Sequence, residues 1–286
     1  MSLLPSEKLR DKIRVKNPLL RNALSEFFGT ALLLFIGLCI VMQFILSHEK
    51  LNTWIQINIG WGLAIAFCVY VCSHTSGGHF NPAVSLAMVT LGHLGLKDFF
   101  VYCVAQLIGA IVGSALAYGI YLDQFNKYFG GRVLLGPKGT GGCFCSYPAD
   151  HVSNCTAFFD QVAGTGLLVL FVCAIIDKRN KIPGAAHPLL FGLVVVMIGT
   201  ALGMNLGYPI NPARDLGPRI FSAFIYGSQV FTVHNYYFWI PVVAPLIGGP
   251  LGAWLYHFFV GAHIPEAGEE YLHVEESKKA LQSDVA

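Results

Sequence analysis

Two short stretches decide how this chain reads: Gly77-Gly78-His79-Phe80-Asn81-Pro82-Ala83, and Gly207-Tyr208-Pro209-Ile210-Asn211-Pro212-Ala213-Arg214-Asp215. Asn is a preferred helix N-cap and Pro a preferred first helical residue, so Asn81-Pro82 and Asn211-Pro212 each start a helix. Each helix start opens a short apolar piece, 81–92 and 212–224. At ~1.5 Å per residue, each piece is about half of a membrane crossing.

Around them lie six longer apolar runs, at 22–47, 54–75, 98–122, 157–177, 185–206 and 236–261. Each exceeds the ~20 residues that span a bilayer. The composition agrees. Of 286 residues 55% are hydrophobic and only 12% charged, against about a quarter charged in a soluble domain. Mean hydropathy is +0.59. These values exclude a disordered chain and argue against a soluble globule. A net charge of +2 gives no sign of a nucleic-acid partner. The expected fold class is an all-α membrane protein with six transmembrane helices plus two re-entrant half-helices.

The halves repeat. Gly62-Leu63 precedes Asn81 by 19 residues, and Gly192-Leu193 precedes Asn211 by the same 19. Glu26 stands three before Gly29-Thr30, and Gln161 three before Gly164-Thr165. Such self-similarity marks a duplicated fold. Three spans per half is an odd number, so the repeats are inverted about an axis in the membrane plane. The half-helices at matching places are the sequence pointer to a permeation site near the bilayer centre. The expected units are an N-terminal segment 1–20, a channel domain 21–262, and an acidic tail 263–286. Within the domain, repeat one is about 21–122, repeat two about 157–262, and the connector 123–156.

Orientation follows from Lys and Arg. Lys8, Arg10, Lys12, Arg14, Lys16 and Arg21 precede span one, and Lys178, Arg179 and Lys181 follow span four. Six crossings put these groups and both termini on one side, expected to be cytoplasmic, in a multi-pass protein of the cell membrane. The N-terminus is too polar and its first apolar run too long for a cleavable signal peptide. The connector is then extracellular. It carries Asn154-Cys155-Thr156, a possible glycosylation sequon beside span four.

Two facing helix starts bring about half a positive charge each to the pore centre, with two Asn amide groups left over as donors. That setting favours a neutral solute rich in acceptors and opposes cations and a proton-conducting water chain. At this point the chain resembles the aquaporin (major intrinsic protein) family over about 21–262. The resemblance implies an aquaporin-like fold with one pore per subunit, homotetramers, and surrounding membrane lipids. It also implies a narrow filter formed here by Trp61, Gly199, Tyr208 and Arg214. Gly199 where water-selective members commonly carry His, and Asp215 directly after Arg214, are similar to the aquaglyceroporin (glycerol facilitator) subgroup. Gly207-Tyr208 and Gly217-Pro218-Arg219 resemble its animal type.

The residues carry the same chemistry. Trp61 and Tyr208 offer an apolar corner for a hydrocarbon edge, and Arg214 offers forked donors for hydroxyls. Gly199 is expected to supply width and to expose nearby backbone carbonyls as acceptors. An always-charged Arg214 in a membrane segment is costly and usually functional. Each also has a plainer reading: Trp61 as an interface anchor, Gly199 as a helix-contact glycine, Tyr208 as loop packing, Asp215 as a cap or pair.

Glu26 and Gln161 are expected to hold re-entrant backbone that has no water, rather than to relay protons. His79 is expected to present ring or carbonyl atoms to the inner pore half. Cys143, Cys145 and Cys155 are either loop packing or one disulfide with a thiol left over. No metal, cofactor or enzymatic pattern accompanies the half-helices. The expected function is a passive channel for water, glycerol and other small neutral solutes such as urea. A water-selective channel is the alternative.

Overall fold

A computed structural model describes residues 4–127 and 132–265. An amphipathic helix α1 (Pro5–Ile13) leads into α2 (Pro18–Leu46). There follow α3 (Trp54–Ser76), α4 (Pro82–Thr90), α5 (Leu96–Ile120) and the short α6 (Leu122–Lys127). The second half holds α7 (Asn154–Ile176), α8 (His187–Leu206), α9 (Pro212–Tyr226) and α10 (Ile240–Phe259). The six long helices are apolar and long enough to cross a membrane, which makes this a multi-pass membrane protein. Among the described residues there is no strand, only a bridge between Val133 and Gly139.

Local chemistry fixes the helix starts. Asn17 Oδ1 accepts from Leu20 N at 3.1 Å ahead of Pro18. Thr53 caps α3 and Ser153 caps α7 in the same way. The sequence placed span four at 157, yet the cap at Ser153 starts α7 three residues sooner. The last span begins at Ile240, not 236, because His234, Asn235 and Tyr236 take left-handed φ values that break the helix.

The duplication is visible as packing. In each half the first span lies along the third, α2 on α5 and α7 on α10, while α3 and α8 pair across the pseudo-twofold axis. The halves interlock, because α4 packs on α10 and α9 on α5. Each half-helix therefore rests against the other half's last span. Small residues allow the close approach. A Cβ on Gly62 would meet the Gly192 carbonyl, and one on Gly192 would meet the Gly62 carbonyl.

Among the described residues the connector joins α6 to α7 by folding over one end of the bundle. Phe144 is fully buried between Phe125, Tyr118, Phe221 and Tyr226. All eight cysteines are free, so Cys143 and Cys145 are packing residues and Cys155 is exposed. Burial pushes the Cys143 and Cys145 thiols up from their ordinary range. Asn154 sits in the first turn of α7 with its amide donating to Asn235 O at 3.1 Å. The acidic tail beyond residue 265 and the connector positions 128–131 lie outside the described residues.

Candidate pore and selectivity filter

The half-helices meet head to head. Asn81 Oδ1 accepts from Ala83 N at 2.9 Å, and Asn211 Oδ1 accepts from Ala213 N at 3.0 Å and Arg214 N at 3.1 Å. The amide ends cross the axis. Asn81 Nδ2 donates to Ile210 O at 3.0 Å and Asn211 Nδ2 to Phe80 O at 2.8 Å. One N–H of each amide is therefore spent on fixing the opposite motif, and one remains for a solute. Pro82, Ala83, Pro212 and Ala213 are all buried behind these contacts.

Phe80, Tyr208 and Ile210 hold positive φ values of 51°, 48° and 38°. Such strain persists only where surroundings over-determine it, and buried acceptors do so here. The carboxylate of Glu26, fully buried, accepts from Ser76 Oγ at 2.6 Å, His79 N at 3.0 Å, Phe80 N at 2.7 Å and Gln106 Nε2 at 2.8 Å. Its counterpart Gln161 accepts from Ile210 N at 2.8 Å, and its amide donates to Asp160 at 3.2 Å. His79 keeps its ring against Ser85 Oγ at 3.0 Å and edge-on to Tyr102.

Two vestibules of about 390 and 420 Å³ open toward opposite ends of the bundle. His79, Phe80, Asn81 and Asn211 border the first, and Trp61, Tyr208 and Arg214 the second. Between them a cavity of about 50 Å³ is lined by Trp61, Tyr208, Arg214, Asn81 and Asn211 together with aliphatic side chains. The Arg214 guanidinium lies over the Trp61 ring, 4.8 Å from its centroid, and Nη1 donates to Phe144 O at 3.1 Å. Its remaining N–H groups have no partner among the described residues.

Gly199 and Asp215 both act from behind the lumen wall, Gly199 by giving room to a neighbouring ring and Asp215 by the pairing that its plainer reading expects. Gly199 does not border the constriction. A Cβ there would stand 2.6 Å from Tyr208 Cζ and 2.6 Å from Asn58 Oδ1. The missing side chain makes a slot that the Tyr208 ring fills, and the ring, not backbone carbonyls, forms that wall. Asp215 is buried away from the lumen. It pairs with Arg219 at 2.8 Å and accepts from Ser146 N at 2.8 Å and Ser146 Oγ at 2.5 Å. Arg219 in turn donates to Ser146 O at 2.7 Å and Val230 O at 2.8 Å. This fully buried pair anchors the connector that supplies Phe144 O to Arg214.

Sequence reasoning gave no role to Asn58, Gln106 or Arg219. Arg219 carried a legible signal, a second always-charged residue inside a half-span. Asn58 and Gln106 carried none beyond being polar in apolar helices.

Six crossing helices, two half-helices meeting at their N-termini, and a constriction between two vestibules define a membrane channel. The chain belongs to the major intrinsic protein family, whose described pattern residues 13–256 match. It is 43% identical to aquaporin-9 of Mus musculus over 269 residues, covering 91% of each chain. It is 40% identical to aquaporin-10 of Milnesium tardigradum, covering 98% of this chain and 72% of that one. Its backbone is similar to the X-ray structure of the aquaglyceroporin from Plasmodium falciparum. That likeness has a TM-score of 0.79 at 31% identity, covering 86% of this chain and 98% of the other.

Proposed function

We propose that this protein is a passive channel for water and glycerol that also admits other small neutral solutes such as urea, excludes ions and protons, and is not an enzyme. The carrying observation is the about 50 Å³ constriction bordered at once by Trp61, Tyr208, Arg214 and both Asn side chains. A polyol entering it turns its carbon edge to the two rings and its hydroxyls to Arg214, then to the free N–H of Asn81 and Asn211. The solute exchanges water contacts for fixed donors, so passage needs no conformational cycle. Arg214 and the two helix N-termini repel cations. The same donors orient a water molecule so that it accepts from both sides of the centre, which interrupts proton hopping.

The domain spans 21–262, with both termini cytoplasmic by the Lys and Arg flanks. Exposed apolar side chains on the spans, Phe67 and Val71 among them, suit lipid and neighbouring copies in a homotetramer. Asn154, tied to Asn235 within a helix turn, is a poor glycosylation acceptor.

Stopped-flow light scattering on proteoliposomes tests this reading. In a sucrose gradient the vesicles shrink fast. In glycerol they shrink and then re-swell fast. Fast shrinkage in both without re-swelling would mean a water-selective pore and end the glycerol reading.

A further inference from the structure

We propose that Asn58, on α3 and outside the four filter positions, is a positioning residue that sets the filter aperture by holding the Tyr208 ring in the Gly199 slot. This rests on the channel reading above. Asn58 is fully buried. Its Oδ1 accepts from Tyr208 Oη at 2.6 Å, a contact between residues 150 apart in sequence. Among the described residues its Nδ2 has no hydrogen-bond partner. An unpaired buried amide is costly, so α3 carries this side chain for what its oxygen does.

The ring needs holding. Tyr208 sits at φ 48°, followed within two residues by Ile210 at φ 38°, a backbone that bulky side chains adopt only under constraint. Gly199 and Gly203, one turn apart on α8, leave a flat groove for the ring. A Cβ on Gly203 would meet Tyr208 Cδ1 at 3.2 Å and the Trp54 ring. Trp54 closes the outer side, edge-on to Tyr208 at 5.9 Å and 80°. The groove and Trp54 confine the ring without fixing its tilt toward the lumen. The directional contact from the hydroxyl to Asn58 does that. Without it the ring tips toward Trp61 and Arg214, which narrows passage for glycerol more than for water.

The test measures glycerol and water permeability in proteoliposomes for the wild type, Asn58→Leu, Tyr208→Phe and the double variant. A single hydrogen bond biases two ring positions by about fivefold. Each single variant is therefore expected to lower the glycerol-to-water ratio about fivefold, and the double variant no further, because both remove one contact. An unchanged ratio in Tyr208→Phe, or single effects that multiply in the double variant, would overturn the proposal. Should Asn58→Leu yield no water flux, Tyr208→Phe decides alone, since it removes only the hydroxyl. A wild type without glycerol flux would end the channel reading and this proposal with it. A conducting wild type with unshifted variants would end this proposal only.

Discussion

Gly199→Ala is the smallest change that probes the filter wall. The added methyl would stand 2.6 Å from Tyr208 Cζ, whereas ordinary contact begins at 3.4 Å. The ring must therefore retreat by about 0.8 Å, and Trp54 blocks its outer side, so it moves toward the lumen. Forcing one methyl group into a filled site costs about 1–3 kcal/mol. If that cost falls on glycerol at the constriction, its permeability drops roughly 5- to 150-fold. Water, with about 30 Å³ per molecule in the liquid, fits a narrowed aperture and loses less. Paired stopped-flow traces in sucrose and glycerol read both rates, and the retained water rate shows that the channel is folded. Equal loss of both rates, or unchanged glycerol flux, would refute the view that the Tyr208 ring in its slot sets the aperture.

Glu26→Gln should destabilise the protein by about 1–3 kcal/mol, because an NH₂ then faces two of the four donors that the carboxylate satisfies. Thermal unfolding in detergent measures this, and an unshifted midpoint would contradict the bracing role. Arg214→Ala should admit protons or cations, read as dissipation of a pH gradient in vesicles; an unchanged leak would remove Arg214 from ion exclusion. Cys155, the exposed thiol in the first turn of α7, should react with a membrane-impermeant maleimide added outside intact cells. Cys155→Ser should abolish that labelling, and labelling only after permeabilisation would invert the proposed orientation.

Most of the pore's framework was legible because it is written in local chemistry. An Asn-Pro pair needs only its own next residues to start a helix, so 81 and 211 were placed to the residue. Span lengths follow from the run of apolar residues, and the ends moved only where a cap (Ser153) or left-handed turn (234–236) intervened. Glu26 and Gln161 stood out as polar groups without water that should hold re-entrant backbone; which N–H groups they hold, those of His79, Phe80 and Ile210, came only from the fold.

Six crossings, two half-helices, their inverted repetition and the residue types at the centre are thus written in the chain's local pattern. Which groups face each other came from packing between helices. It set α4 against α10 and α9 against α5, and it crossed the Asn81 and Asn211 amides to the opposite motifs. It turned Gly199 from a presumed opening into a slot, paired Asp215 with Arg219, and brought Asn58 to Tyr208. The physical reason is range. Capping and hydropathy act within a few residues of one helix. The aperture is set by contacts between helices distant in sequence, and a one-dimensional pattern does not encode which faces meet.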